Sequence, residues 1–374
     1  MHIMITANSA WNILNFRRPI VEALSRDDHQ ITVLAPADDS AAKLECLNCR
    51  MLPLEMNVKG LNPLQDLKLQ HRFKRTFREE QPDIVLSYTI KNNIFGGQAA
   101  QLLGVPFLPN VTGLGTAFLS GKLLQTVTEQ LYRRSFRNLS VVFFQNEDDR
   151  DLFLNRSMVR ADQARLLPGS GIDLVHFPAV PMRHVEGPTI FLMISRLIKD
   201  KGVFEFIEAA RRIKARHPQA QFKLIGEVAS KNRSAIGRGI LNSWIAEGVI
   251  EYLGTVEDVR PAIEAATCIV LPSYREGVPR ALIEAAAMAR PVITTDVPGC
   301  RAVVDHDISG FLCEVRNSES LTAAIERFLA LLPEAKQAMG QAGRAKMERE
   351  YNHSIVVGAY REAITGLVKA KQNQ

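Results

Sequence analysis

Two glutamates eight residues apart, Glu276 and Glu284, stand in the stretch of this 374-residue chain that is richest in chemistry. It runs Leu271-Pro-Ser-Tyr-Arg-Glu-Gly-Val-Pro-Arg-Ala-Leu-Ile-Glu-Ala-Ala-Ala-Met-Ala-Arg-Pro-Val-Ile293. An apolar run from Cys268 to Leu271 stops at Pro272, so the pattern predicts a buried strand, a short polar turn and a helix opening near Pro279. Proline suits a first helical turn because it has no N–H to leave unpaired, and the free amides around it make an anion-seeking end. Glu276 then lies in the turn and Glu284 about a turn and a half into the helix, followed by Ala285, Ala286 and Ala287. Carboxylates so placed would share the crevice outside the carboxyl ends of the strands, where open α/β sheets bind ligands. A surface turn followed by an ordinary helical charge would leave the same pattern.

A second cluster lies upstream. Thr189 to Ile194 is a buried-strand run, followed by Ser195-Arg-Leu-Ile-Lys-Asp-Lys-Gly202 and an amphipathic helical pattern from Val203 to Ala215. Arg196 and Lys201 thus also sit between a strand end and a helix start. A planar guanidinium fork and a point charge together could neutralise a diphosphate without a metal ion, although two solvated loop cations are the plainer reading of this cluster alone.

Together the clusters resemble a signature of retaining glycosyltransferases built from two Rossmann-like domains, the large group often called family 4. Glu276 and Glu284 match its Glu-x7-Glu motif in the Glu-Gly-x-Pro-x4-Glu form, and Ser195-Arg-Leu-x3-Lys-Gly matches its phosphate-binding loop. The likeness continues through Val292-Ile-Thr-Thr-Asp-Val-Pro-Gly299 and Ser309-Gly-Phe-Leu312, covering most of residues 189–315. It implies an α/β fold of the GT-B type: two Rossmann-like domains facing across a cleft, with a C-terminal helix crossing back to the first. The resemblance also implies a donor site. Arg196, Lys201 and backbone near Val278 and Pro279 would meet the diphosphate, Leu253 and Gly254 the nucleobase, and Glu284 the ribose. Glu276 would face the sugar, with Gly226 and Gly277 completing the set.

Composition bounds these readings. The chain is long enough for two domains with cores of their own. Apolar residues at 46% and charged residues at 23% are ordinary for a globular protein. A net charge of +6 suits an anionic partner, whether nucleotide sugar, lipid surface or nucleic acid. No nucleic-acid recognition motif appears, and aromatics are only 7%, which tells against the last. No apolar run reaches the roughly 18–20 residues that cross a bilayer, and the N-terminus reads as a strand rather than a signal peptide, so a cytoplasmic protein is expected. Cys46-Leu-Asn-Cys49 has metal-like spacing but no second pair or nearby histidine pair, so no metal site is expected.

The elements that must position the clusters alternate in the doubly wound manner. Residues 1–178 read as an acceptor-binding domain, 179–353 as a nucleotide-sugar-binding domain, and 354–374 as a helix packing back on the first. The Pro- and Gly-dense run from Leu166 to Pro188 is the linker between the two domains. In the first domain Met1 to Ala7 is a strand, Asn8 to Phe16 a loop and Arg17 to Ser25 a helix. Family members commonly carry a Gly-Gly pair in that loop; here Ser9 and Asn12 stand as the candidates for acceptor contact. Later strands deliver Tyr88-Thr-Ile-Lys-Asn-Asn-Ile-Phe-Gly96 and Thr112-Gly-Leu-Gly-Thr116, whose glycines either admit a ligand or make tight turns. These loops resemble the subgroup that builds bacterial surface and glycoprotein glycans on polyprenyl diphosphate. Where many members of the wider family place a histidine, this chain offers Lys91 and Asn92. Thr112, beside Gly113, stands where some relatives have a carboxylate.

Residues 60–80 interleave Leu61, Leu64, Leu67, Leu69, Phe73 and Phe77 with Lys68, Arg72, Lys74, Arg75 and Arg78. Residues 122–137 repeat the pattern with Arg133, Arg134 and Arg137. Both read as basic amphipathic helices, suited either to an anionic membrane surface or to the solvated face of a domain. The first alternative places the protein peripherally at the inner face of the plasma membrane.

The expected activity is transfer, with retention, of a sugar from a UDP-sugar to a polyprenyl-diphosphate-linked saccharide, the subgroup favouring an N-acetylhexosamine. Its barrier is charge separation, so the useful groups are those that meet charge as it develops. Glu276, Lys201, Arg196 and Lys91 are the catalytic candidates, and no cofactor is expected. Two other readings stand beside it. A nucleotide-sugar epimerase of the same architecture needs acid and base groups, and the motif loops hold no well-placed histidine. A catalytically silent, membrane-associated partner subunit would not need the intact Arg196, Lys201, Glu276 and Glu284 set.

Overall fold

Short apolar runs bounded by Gly, Pro and polar turns dictate buried parallel strands. The computed structural model describes residues 1–58, 62–113, 122–182, 187–228 and 234–372, and among these it forms two wholly parallel sheets. The first contains β1 (His2–Thr6), β2 (Gln30–Ala35), β3 (Cys49–Pro53), β4 (Ile84–Tyr88), β5 (Phe107–Val111), β6 (Val142–Phe144) and β7 (Ala164–Leu166), in the order β3-β2-β1-β4-β5-β6-β7. The second contains β8 (Ile190–Ile194), β9 (Gln221–Ile225), β10 (Glu251–Tyr252), β11 (Cys268–Leu271), β12 (Val292–Thr295) and β13 (Gly310–Cys313), in the order β10-β9-β8-β11-β12-β13. Each order reverses beside its first strand, between β1 and β4 and between β8 and β11. Doubly wound sheets open their ligand crevice at such a switch point.

The chain divides into two compact units, Met1–Gly171 with His353–Gln374, and Ile172–Asn352. The division therefore falls at Gly171, not at residue 178. Residues after it are fastened to the second unit: Ile172 N–H donates to the Tyr351 carbonyl at 2.7 Å, and Arg344 donates to the Phe177 carbonyl at 2.8 Å. Helix His353–Gln372 belongs to the first unit, where Val356, Tyr360 and Ile364 share a core with Ile13, Ile20 and Leu24.

One expectation needs correction. The segment Asn8–Phe16 is not a loop, because helix Ala10–Arg26 starts just past β1 with Ser9 as its N-cap, the Ser9 hydroxyl accepting from Asn12 N–H at 3.0 Å. Its buried face is Ala10, Ile13, Arg17, Ile20 and Leu24. Arg17 interrupts that apolar period and sits over the Tyr88 ring, 4.2 Å from its centroid, so the helical spacing was hidden by a buried cation.

The basic helices were open to two readings, an anionic membrane surface or the solvated face of a domain. Both form, as Pro63–Glu80 and Lys122–Phe136, but their apolar stripes are spent on the core: Leu69, Phe73 and Phe77 from one, Tyr132 and Phe136 from the other. Arg72 pairs with Glu55, Arg75 with Glu79, and Arg133 donates to the Arg156 carbonyl. Lys74 is half-buried, whereas Lys68 and Arg134 are exposed. What the first helix leaves outside is Leu64 and Leu67, 72% and 63% exposed. Leu61 and Leu114–Thr116 lie outside the described residues, and no described helix is long and apolar enough to cross a membrane.

Candidate active site

The switch point of the second unit gathers the charged motif residues. Lys201 ends a single 3₁₀ turn, Lys199–Lys201, and Gly202 follows at φ +73°, packed so closely that a Cβ would overlap the Pro272 carbonyl oxygen. Only glycine lets the loop after β8 lie against the loop after β11. That contact brings Lys201 Nζ onto Glu276 Oε1, and the buried Ser273 hydroxyl donates to the same oxygen at 2.7 Å. Glu276 is thus fixed from two sides. Gly299, at φ +79°, plays the same part from the loop after β12, its missing Cβ leaving room for the Gly277 carbonyl oxygen.

Neighbouring strand ends extend the site. Gly226 N–H donates to the Gly254 carbonyl at 2.8 Å, Tyr252 O–H to the Gly226 carbonyl at 2.8 Å, and Leu253 N–H to the Leu224 carbonyl at 2.9 Å. Tyr274 N–H donates to the Asp200 carbonyl at 2.9 Å and its hydroxyl to Glu205 at 2.7 Å; burial, then Glu205, pushes this phenol well above its ordinary range. Arg196 is exposed and has no carboxylate partner among the described residues.

Helix Arg280–Ala287 begins one residue later than expected, with Pro279 as N-cap and Val278 and Gly277 before it. It has no side-chain cap and no acid in its first turn, so its amide end stays positive. Glu284 is 9% exposed, its Oε1 accepting from Arg280 Nε at 2.9 Å and lying 2.7 Å from Arg280 Nη2 in the same ion pair. Arg280 was missed in the sequence. Its signal was a cation at the helix end that repels one, four residues before Glu284.

The other candidates belong to the first unit and are differently placed. Thr89 has φ +72°, a strained value for a β-branched residue, and a π-helical turn Asn92–Gly96 follows, so this segment is helical rather than a loop. Lys91 pairs with Asp66 at 2.7 Å, both side chains 14% exposed. Asn92 is fully buried, donating to Thr6 at 2.8 Å and accepting from Thr89 at 2.8 Å, which makes its amide a lock within the unit rather than an exposed acceptor contact. Asn8 and Asn12 each have a buried Oδ1 without a hydrogen-bond partner among the described residues. Thr112 and Gly113 are half-buried at the end of β5.

Comparison with known proteins follows this division. A family described as "Glycosyl transferase 4-like domain" matches residues 16–169, and one described as "Glycosyl transferases group 1" matches residues 188–330. The chain is similar to the N,N'-diacetylbacillosaminyl-diphospho-undecaprenol alpha-1,3-N-acetylgalactosaminyltransferase of Campylobacter jejuni, 26% identical with 99% of this chain and 100% of that protein covered. It is 24% identical to the UDP-Gal:alpha-D-GlcNAc-diphosphoundecaprenol alpha-1,3-galactosyltransferase of Escherichia coli, over 72% of each. Among solved structures, the sucrose-phosphate synthase of Thermosynechococcus elongatus has a TM-score of 0.80 at 20% identity, covering 99% of this chain and 100% of that one. Anabaena HepE in complex with UDP-glucose also has a TM-score of 0.80, at 18% identity, with 98% and 100% covered. With a glycosyltransferase family model matching each unit, glycosyltransferase relatives along its whole length and the two-Rossmann-domain fold, the chain is a glycosyltransferase.

Proposed function

We propose that the protein moves an N-acetylhexosamine, with retention at the anomeric carbon, from a UDP-sugar to a polyprenyl-diphosphate-linked saccharide. The observation that carries this reading is the Lys201–Glu276 pair at the switch point, fixed by Ser273 beside an uncapped helix start. In it, Arg196, Lys201 and the amides before helix 280–287 meet the charge that gathers on the leaving diphosphate. Glu276, already fixed, orients the sugar hydroxyls or stabilises the cationic ring. The departing phosphate oxygen takes the proton of the acceptor hydroxyl on the same face, so no protein nucleophile is required. Arg196 and Lys201 supply the positive charge, and neither a metal nor another cofactor enters the scheme.

The acceptor assignment is supported by the two diphosphoundecaprenol-named relatives and by the segments Tyr88–Gly96 and Thr112–Thr116, whose sequences resemble that subgroup. On the first unit, exposed Val58, Leu64 and Leu67 beside Lys68 suit an anionic membrane surface, which would hold the protein peripherally at the inner leaflet.

The test is a screen of UDP- and GDP-sugars for thermal stabilisation and slow hydrolysis, with EDTA throughout. The donor is then paired with a short-chain polyprenyl-diphosphate N-acetylhexosamine, and the anomeric configuration of the product is read by NMR. Stabilisation by one UDP-sugar and an α-linked product from its α-linked donor are expected. A requirement for added metal, or inversion, overturns the corresponding part of the proposal.

A further inference from the structure

A cavity of about 630 Å³ opens wholly within the second unit, at the far end of the two strands that lead to the charged pair. Thr189 and Thr267, the residues just before β8 and β11, stand in its wall, whereas Lys201 and Glu276 follow those strands. Four or five residues of extended backbone keep the two places roughly 13–17 Å apart. The volume falls within the range of small-molecule sites, about 300–1,000 Å³. Pro188, Ile190, Pro261, Ala266 and Pro333 form the apolar part of the wall. Three of these are prolines with a fixed φ, so the wall is stiff.

The polar part is a set of donors. Lys336 is half-buried; its Nζ donates to the Leu329 carbonyl at 3.2 Å and lies 5.3 Å from the centre of the Phe328 ring. Among the described residues no carboxylate pairs with it. Burial holds its amine below the ordinary value, with the Cys268 thiol opposing; burial also pushes that thiol well above its own range, so it gives no standing counter-charge. Arg290, 1% exposed, commits Nε, Nη1 and Nη2 to the carbonyls of Ile263, Val180 and Glu264. Thr267 accepts from Ile190 N–H at 3.0 Å, which leaves its own O–H to donate, and the Gln337 amide adds further N–H groups. Two cations against the exposed Glu264 carboxylate leave the wall positive. Removing a cation from water without a counter-ion is costly, and an incoming anion supplies one.

We infer that this cavity is a second ligand site, taking a small organic anion whose carboxylate meets Lys336 and whose apolar body lies along the proline wall. A single negative charge fits it best. Lys336 still has N–H groups to give, all three nitrogens of Arg290 are committed to carbonyls, and Glu264 repels a dianion at the rim. A diphosphate is thereby disfavoured, which sets this site apart from one for a nucleotide sugar in chemistry as well as in place. The inference does not depend on the donor reading.

The experiment titrates 2-naphthoate and its neutral isostere 2-naphthamide into the full chain, with binding followed by saturation-transfer NMR. The carboxylate is expected to bind at least about tenfold tighter than the amide, the scale of one charge-assisted hydrogen bond in a half-buried site. Lys336→Met keeps the apolar stem; it should weaken naphthoate about tenfold and change naphthamide by less than about twofold. Ala265→Phe, at the exposed rim, narrows the mouth without touching the core and should weaken both probes at least about tenfold. It also carries the test if Lys336→Met does not fold. Lys201→Met, the control for the strand-end site, should leave both affinities unchanged. Equal affinities for the two probes overturn the proposal, as does absence of naphthoate binding. A naphthoate affinity indifferent to both Lys336→Met and Ala265→Phe overturns it too. So does a loss in Lys201→Met as large as that in Lys336→Met, which would place the anion at the charged pair.

Discussion

The loops leaving β8 and β11 in the second unit hold Lys201, Ser273 and Glu276, whereas the helical starts that follow β1 and β4 in the first hold Ser9, Thr89 and Asn92. Both pairs occupy the switch point of the same strand order. In the second unit the loops are joined by an ion pair that keeps some exposure. In the first they are joined by neutral hydrogen bonds at zero exposure, Asn92 to Thr6 and Thr6 on to the Leu34 carbonyl at 2.7 Å. Topology therefore supplies the place but not the chemistry. A charged, fixed pair suits a ligand whose own charge changes during reaction; a buried amide lock suits a scaffold that holds still.

The largest effect should separate the two switch points. Glu276→Ala and Lys201→Ala are each expected to lower turnover about 100-fold with the fold intact, the range for losing one preorganised electrostatic group. Near-normal turnover in either folded variant would remove the charged pair from the mechanism. Next comes the packing that aligns the pair. Gly299→Ala places a Cβ on the Gly277 carbonyl oxygen at a left-handed φ, so the loops must part. A stability loss on the order of 2 kcal/mol or more is expected in urea unfolding, accompanied by lost activity.

Asn92→Ala in the first unit should behave in the opposite sense. It takes from the buried Thr6 oxygen its donor and from the half-buried Thr89 hydroxyl its acceptor, costing about 1–3 kcal/mol of stability, while turnover per folded molecule stays within about threefold. A loss of turnover rivalling that of Glu276→Ala, without a matching loss of stability, would make Asn92 a participant and erase the contrast.

The same contrast explains what the sequence made legible. Strand-end motifs in the second unit are contiguous in the chain, so Arg196, Lys201, Glu276 and Glu284 announce themselves by spacing. Their partners do not: Ser273 reads as a turn serine and Arg280 as a surface cation until the fold sets them on Glu276 and Glu284. In the first unit, β1 and β4 were readable, but the start of helix 10–26 was not, because buried Arg17 broke its apolar period. The helices at 63–80 and 122–136 were readable as amphipathic; periodicity cannot say whether an apolar stripe meets lipid or its own core, and Phe73, Phe77, Tyr132 and Phe136 chose the core.

The smallest expected effect concerns pH and lies at the amino end of the first sheet. His2 sets Nε2 2.8 Å from Thr32 Oγ1 and Nδ1 3.1 Å from the Glu80 carbonyl, tying β1 to β2 and to the end of helix 63–80. Burial, and then nearby Arg50, hold its imidazole below the ordinary value of 6.5, with Asp83 opposing; burial acts on His29 in the same direction. As pH falls through about 6.5 the unfolded chain takes up protons that the folded His2 still refuses, so the unfolded state binds more of them and stability falls with pH. The contribution is present above that value and lost on acidification. His2→Gln keeps an amide within reach of both neighbours and removes the titration. Thermal unfolding between about pH 7.5 and 5.5 should therefore show a shallower decline in His2→Gln than in the wild type. A wild-type decline that the substitution leaves unchanged would move the acid-sensitive point away from β1.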